Sequence, residues 1–191
     1  MGFDSETAFE SALIKCLVEE KGWKDGVIKY PTEKDLLDNW AKIIFENNRD
    51  IDRLGDFPMT DGEMAQIMGQ IAKLRTPLNL NGFINGGTVQ IIRDNENDTH
   101  NFKKTISLKI FDRNEIAAGR TRYQIAQQPK FKAKNSIYPN RRGDFCLLIN
   151  GMPVIHVELK KSNVPVSEAQ YQIGLLYTSP SPRDTERSRM P

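Results

Sequence analysis

The chain has 191 residues, 38% of them hydrophobic and 27% charged, with a formal net charge of +2. That balance describes a soluble globular chain with enough apolar side chain to bury a core. No apolar run approaches the roughly 20 residues needed to span a bilayer, and the acidic start MGFDSETAFE is unlike a signal peptide.

In chain order, Ser5 to Glu20 is predicted as an amphipathic helix. Phe9, Ala12, Leu13, Cys16 and Leu17 recur at helical spacing, Ser5 or Thr7 can cap the start, and Gly22 can end it. Residues 32–47 predict a second helix, with Leu36, Leu37, Trp40, Ile43 and Ile44 as its apolar side. Thr60 and Glu63 have capping-box spacing. The helix they open carries Met64, Ile67, Met68, Ile71 and Leu74, and Pro77 bars its continuation.

Strand patterns follow at 88–93 and 106–111, joined by the polar loop DNENDTH, with a short strand at 123–126. Lys130, Lys132 and Lys134 alternate with Phe131 and Ala133, so an extended backbone sets the three lysines on one face. Residues 145–149 and 154–160 are the strongest strand signals. Asn150–Gly151 between them is a hairpin signal, because both residues tolerate positive φ. A helix is expected after Val166. Residues 174–191, rich in Ser, Pro and Arg and without apolar period, are expected to be a disordered tail of vector or out-of-frame origin, or else a linker. Cys16 and Cys146 lie far apart in apolar settings and are expected to be reduced, as in the cytoplasm.

The charge is unevenly distributed. From Arg113 to Arg142 there are eight basic residues (Arg113, Arg120, Arg122, Lys130, Lys132, Lys134, Arg141, Arg142) against Glu115 alone. Such a stretch can steer a polyanion, although a solvated face would carry the same charges.

The stretch RRGDFCLLINGMPVIHVELKK, residues 141–161, holds the chemistry. A two-residue turn at Asn150–Gly151 would pair Asp144 with Val157. A three-residue loop including Met152 would pair Asp144 with Glu158. In that second register one face carries Asp144, Cys146, Leu148, Val154, His156, Glu158 and Lys160. The other carries only Phe145, Leu147, Ile149, Ile155, Val157 and Leu159. This clean division favours the three-residue loop. Two opposed carboxylates repel unless a cation lies between them. Oxygen ligands of this kind suit Mg²⁺. Lys160, two residues beyond Glu158, could orient an attacking water or stabilise charge developing on a phosphate. An isolated Glu-x-Lys at a strand end would be ordinary solvent-facing sequence; the Asp on the paired strand is what changes the reading. His156 shares the site's face and is expected to be a core or supporting residue. Cys146, in mid-strand, does not suit a nucleophile.

This stretch resembles the PD-(D/E)xK nuclease motif. More narrowly, GDFCLLINGMPVIHVELKKSN is similar to the N-terminal nuclease domain of the R subunit of type I restriction–modification enzymes, as is the start around Phe9–Glu10 and Gly22–Trp23. The resemblance covers residues 1 to about 173. It implies an α/β fold with a mixed sheet flanked by helices. It implies Asp144 and Glu158 as Mg²⁺ ligands, Lys160 as the catalytic lysine and Glu10 as an accessory acid. Its Gln-x-x-x-Tyr motif maps onto Gln172, but the residue four later is Leu176, with Tyr177 one step off. The natural sequence is therefore expected to end near Ile173, which puts the activity of this chain in question. The implied partners are double-stranded DNA and the modification and specificity subunits. Lys130, Lys132, Lys134, Arg141 and Arg142 are the expected phosphate contacts. ATP would be bound by a motor portion, since this chain has no G-x-x-x-x-G-K-[ST] loop. The alternatives are a non-catalytic DNA-binding or assembly module on a decayed nuclease fold, or a repair nuclease.

Overall fold

A computed structural model describes residues 5–74, 76–111, 121–132, 141–160 and 167. Those residues pack as two units. One comprises the described residues of 1–33, 123–148 and 153 onward; the other comprises those of 34–122 and 149–152.

The first unit begins with helix α1 (Glu6–Glu20). Its N-cap Ser5 is extended, and the hydroxyl accepts the Ala8 N–H at 3.1 Å. Gly22, at φ +80°, turns the chain out of the helix so that the Trp23 N–H reaches the Leu17 carbonyl. Strand β1 (Val27–Lys29) pairs in parallel with β4 (Tyr123–Gln127), Val27 lying opposite Ile125. The sequence pattern held no expectation of β1. The sheet order is β1-β4-β7-β8, with β7 at Phe145–Ile149 and β8 at Met152–Val157. β4 and β7 run antiparallel: the Gln128 N–H bonds the Asp144 carbonyl at one end and the Asn150 N–H bonds the Arg122 carbonyl at the other. The sheet is therefore mixed, as expected.

The same β4–β7 register continues past a break at Gln128–Pro129 and Gly143–Asp144 into a short ribbon. There β5 (Lys130–Phe131) pairs with β6 (Arg141–Arg142), Lys130 opposite Arg142. Ile14, Ile125, Phe145, Leu147 and Leu159 form the unit's core, with Phe9, Leu13, Leu17, Val18, Val27 and Val157 packed against it. Helix α1 thus covers Phe145, Leu147, Val157 and Leu159 of the apolar face predicted from alternation, whereas Ile155 of that face is exposed and Ile149 lies outside this core. The opposite face is not open along β7, because Cys146 and Leu148 are also buried.

Two corrections concern the hairpin. Asn150 and Gly151 have φ of 49° and 83°, a two-residue turn, and Met152 already belongs to β8. The three-residue loop is overturned. The Asn150 side chain accepts the Arg122 N–H at 2.9 Å, and a Cβ on Gly151 would lie 2.9 Å from the Trp40 Cα, so this turn suits Asn-Gly doubly. A two-residue loop with unbroken pairing would set Asp144 opposite Val157, yet Val157 and Leu159 share the core of Phe145 and Leu147. At the site the facial division follows the parity expected from side-chain chemistry, while the turn follows backbone chemistry. Second, β8 ends at Val157, so Glu158 and Lys160 lie just beyond the strand rather than in it.

The second unit holds α2 (Glu33–Asn47), α3 (Asp61–Ile71), α4 (Pro77–Ile84) and the antiparallel pair β2 (Thr88–Ile92) and β3 (Thr105–Lys109). Both limbs of the Thr60–Glu63 capping box are made. α3 ends at Ile71, before Pro77 as expected, and Pro77 also opens α4, a helix the sequence pattern does not predict: Thr76 caps it by accepting the Asn79 N–H, and proline at the first helical position loses no hydrogen bond. The Gln66 side chain both accepts from and donates to the Ile92 backbone, so α3 satisfies polar groups of β2. At the core of this unit, Arg93 is fully buried with Glu63 and Asp98. Its Nη1 lies 2.7 Å and 2.8 Å from the two Glu63 oxygens, and its Nε lies 2.8 Å from Asp98. Both cysteines are free thiols. Among the described residues no helix is long and apolar enough to cross a membrane.

Candidate active site

All the described candidate residues fall in the first unit. Asp144 sits at the bend before β7, and its Oδ2 accepts the Leu159 N–H at 2.5 Å. This bond ties the end of one strand to the segment that leaves the other. Burial pushes the Asp144 carboxyl above its usual range, against the Leu159 N–H. The charges of Glu158 and Glu10 push the same way as burial, and Lys160 opposes them. Asp144 therefore feels three of the predicted site residues.

Glu158 is nearly buried between two cations. Its Oε1 lies 3.8 Å from Lys160 Nζ and its Oε2 3.5 Å from His156 Nε2. Oε2 is buried and makes no hydrogen bond among the described residues; it faces His156 Nε2 at 3.5 Å as an ion pair without hydrogen-bonding geometry. His156 stacks on Phe131, with ring centroids 6.5 Å apart. Burial works against its charge, but Cys146 and Glu158 beside it outweigh that and push the imidazole up to about 9. The expectation of a supporting histidine agrees with this packing.

The ring of His156 lies so close to Gly143 that a Cβ there would meet Cε1 and Nε2 at 2.8 Å. Gly143→Ala should therefore cost about 1–3 kcal/mol through overpacking. Removing the ring should remove most of that cost, so Gly143→Ala in a His156→Ala background should be far milder. A double-mutant cycle read by thermal melting measures this; additive losses would show that the contact does not matter.

Glu10 is not the surface residue a first-helix glutamate usually is. It is buried, with Oε1 accepting from Gln127 Nε2 at 2.8 Å and Oε2 from Gln128 Nε2 at 2.9 Å. Gln128 has φ +51°, uncommon for a residue with a long side chain, and its Oε1 accepts from Arg142 Nη2. Gln127 and Gln128 were invisible to sequence reasoning. They end a strand without periodic pattern, and only the pairing with Asp144 gives them a place.

The structure brings Glu10, Asp144, Glu158 and Lys160 into one electrostatic neighbourhood. Lys130 and Arg142 lie on the adjacent ribbon, both exposed, and Lys132 is exposed just beyond β5. The backbone of Arg141 pairs with Phe131, while its side chain lies outside the described residues. Lys134, Gln172, the helix expected after Val166 and the tail from 174 also lie outside them. Among the described residues no three His, Cys, Asp or Glu side chains converge as a ready-made metal cage. A hard cation such as Mg²⁺ needs only one or two carboxylates and keeps its waters. Among the described residues Asp144 and Glu158 are the carboxylates that fit one, Glu158 Oε2 being ion-paired to His156 but not hydrogen-bonded.

A mixed sheet with helix packing, bearing an acidic pair and a lysine where two adjacent strands end, defines a mixed α/β protein compatible with the nuclease-like fold. Residues 4–180 match the family described as "Type I restriction enzyme R protein N terminus", and the chain belongs to that family. Curated relatives include the type I restriction enzyme SsaAORF53P endonuclease subunit of Staphylococcus saprophyticus, 28% identical over 177 residues. The SauCOLORF180P endonuclease subunit of Staphylococcus aureus strain COL is 27% identical over 175. Each alignment covers 91% of this chain and 16% of the relative, so the chain spans about a sixth of the length of these subunits.

Proposed function

We propose that this chain is the metal-dependent DNA-cleaving domain of a type I restriction endonuclease, hydrolysing phosphodiester bonds of double-stranded DNA. The observation that carries the reading is the buried Glu158 carboxylate, with one oxygen lacking a hydrogen bond, held beside Asp144 and Lys160. Asp144 and Glu158 would hold Mg²⁺. When bound, that ion supplies Lewis acidity and a water of lowered pKa. Lys160 Nζ would stabilise charge growing on the scissile phosphate, and the Leu159 amide keeps Asp144 aimed. Glu10, gripped by Gln127 and Gln128, adds negative charge that favours a cation. In a complete subunit, cleavage would be coupled to ATP-driven translocation by a separate motor portion. The modification and specificity subunits would be its cytoplasmic partners.

Metal binding is tested by melting the chain with and without Mg²⁺. A raised Asp144 pKa means that the ionised carboxylate costs the metal-free fold stability above that pKa. The cost disappears as pH falls below the ordinary value of about 4. Asp144→Asn should therefore melt higher than wild type at pH 7 without metal, and the advantage should fade toward about pH 4. Mg²⁺ should raise the wild-type melting temperature and leave that of Asp144→Asn nearly unmoved. An equal Mg²⁺ response in both proteins would overturn the assignment.

A further inference from the structure

We propose that Lys130 and Arg142, gathered over the ring of Tyr30, form a subsite for one backbone phosphate of bound DNA, a single nucleotide from the bond that is cut. The choice of DNA as ligand rests on the nuclease reading; the subsite itself rests on four observations.

The first is register. Lys130 lies directly opposite Arg142 across the antiparallel ribbon, and like charges so placed destabilise a pair of strands unless something offsets them. An anion between them is the simplest offset. The second is the ring. Lys130 Nζ is 5.9 Å and Arg142 Cζ 5.8 Å from the Tyr30 ring centroid. An aromatic face attracts and orders cations without neutralising them. Tyr30 is anchored for this by its N–H to the Gln127 carbonyl and by the Lys130 N–H to the Pro31 carbonyl. Its φ of +56° is costly for a tyrosine, yet the ring remains half exposed.

The third observation is position. The ribbon continues the register that sets Gln128 against Asp144, so Arg142 lies two residues, about 7 Å of extended chain, before Asp144 across the break at Gly143. That is on the order of the spacing between successive phosphates of a nucleic-acid strand. The fourth is orientation. Arg142 Nη2 donates to Gln128 Oε1, and the Gln128 amide donates to Glu10. The guanidinium is thus tied to the acidic cluster while its fork of donors stays at the surface, an arrangement suited to an oxyanion.

The experiment measures binding of the full 191-residue chain to labelled duplex DNA over a range of salt, with Ca²⁺ replacing Mg²⁺ to hold cleavage off. Two cations on one phosphate should count as one released contact. Lys130→Gln/Arg142→Gln should therefore flatten the slope of log K against log salt by about 0.9, not about 1.8, and weaken all sequences alike. Tyr30→Leu should weaken binding about two- to fivefold with the slope unchanged, since the ring carries no charge. Melting temperatures that do not fall in the variants, and that rise slightly in the double variant as the like charges are removed, tie these losses to binding. An unaltered slope in the double variant, a loss of about 1.8, or wild-type affinity in Tyr30→Leu each overturns the subsite. So does a wild-type chain that does not bind DNA. Cleavage in Mg²⁺ separates the two readings. An unaltered slope in a subunit that still cuts sinks the subsite alone. The expected slopes in a protein that never cuts sink the nuclease reading alone.

Discussion

Lys160→Ala should abolish DNA cleavage by a subunit carrying this domain, with a loss of at least about 10²–10³ in rate, while the protein stays folded. Its ammonium reaches solvent, at 18% exposure, and lies 3.8 Å from Glu158. Both partners are largely buried, so removing the ammonium leaves the Glu158 carboxylate with His156 as its remaining neighbouring cation and should lower the melting temperature moderately without unfolding the protein. Asp144→Ala and Glu158→Ala should be as severe, because each removes an oxygen that would hold the metal and so the activation of water with it. ATP hydrolysis should survive in all three, since no phosphate-binding loop lies in this chain. Cleavage, ATP hydrolysis and melting are to be measured on the same variants. Normal cleavage by Lys160→Ala would refute the catalytic assignment. Joint loss of all three properties would mean that these residues hold the fold.

The largest loss of stability is expected in the other unit, at Arg93. Its guanidinium is fully buried and bridges Glu63 and Asp98, and it also donates to the carbonyls of Phe57 and Pro58. Arg93→Met fills much the same space but strands two carboxylates without their cation. Breaking a buried pair in this way costs about 3–5 kcal/mol. Glu63 would be doubly affected, because the same carboxylate closes the capping box of α3 and accepts the Asp94 N–H. The pH dependence carries a sign. Burial works to raise the Asp98 carboxyl, but hydrogen bonds from Arg93 and from the Asn101 backbone outweigh it and hold it below its usual range. Wild type therefore has this stabilisation above the ordinary carboxylate pKa and loses it as pH falls through the lowered value. The variant never has it. The gap between the two in urea melts should be widest at neutral pH and should narrow in acid. A gap that is constant with pH would mean that packing, not charge, sets the role of Arg93.

Much of this was legible in the chain. The α3 capping box, the α1 cap at Ser5 and stop at Gly22, the β2–β3 hairpin and the Asp-to-Lys stretch are encoded within a few residues of one another. Local spacing therefore reveals them. The hairpin loop was misjudged for an instructive reason. The side-chain alternation of residues 144–160 asks for one parity, while Asn150–Gly151 is the best two-residue turn available. The fold satisfies both, so neither argument alone predicts the outcome. Pro77 bars α3 as expected, but its second role as the start of α4 is not legible, because a proline looks the same whether it stops one helix or starts the next. The Thr76 before it decided the matter.

By itself the sequence determined α1, α2 and α3, the caps of α1 and α3, and that an acidic pair and a lysine bracket an apolar hairpin; α4 it did not reveal. Tertiary structure alone decided three other things. It made VIK at 27–29 a strand, because three residues carry no period and acquire a ladder only by lying parallel to β4. It turned Glu10 inward, because Gln127 and Gln128 supply the donors that make burial of a carboxylate tolerable. And it set Lys130 opposite Arg142 beside Tyr30, since pairing partners and ring neighbours distant in sequence meet only when the sheet closes.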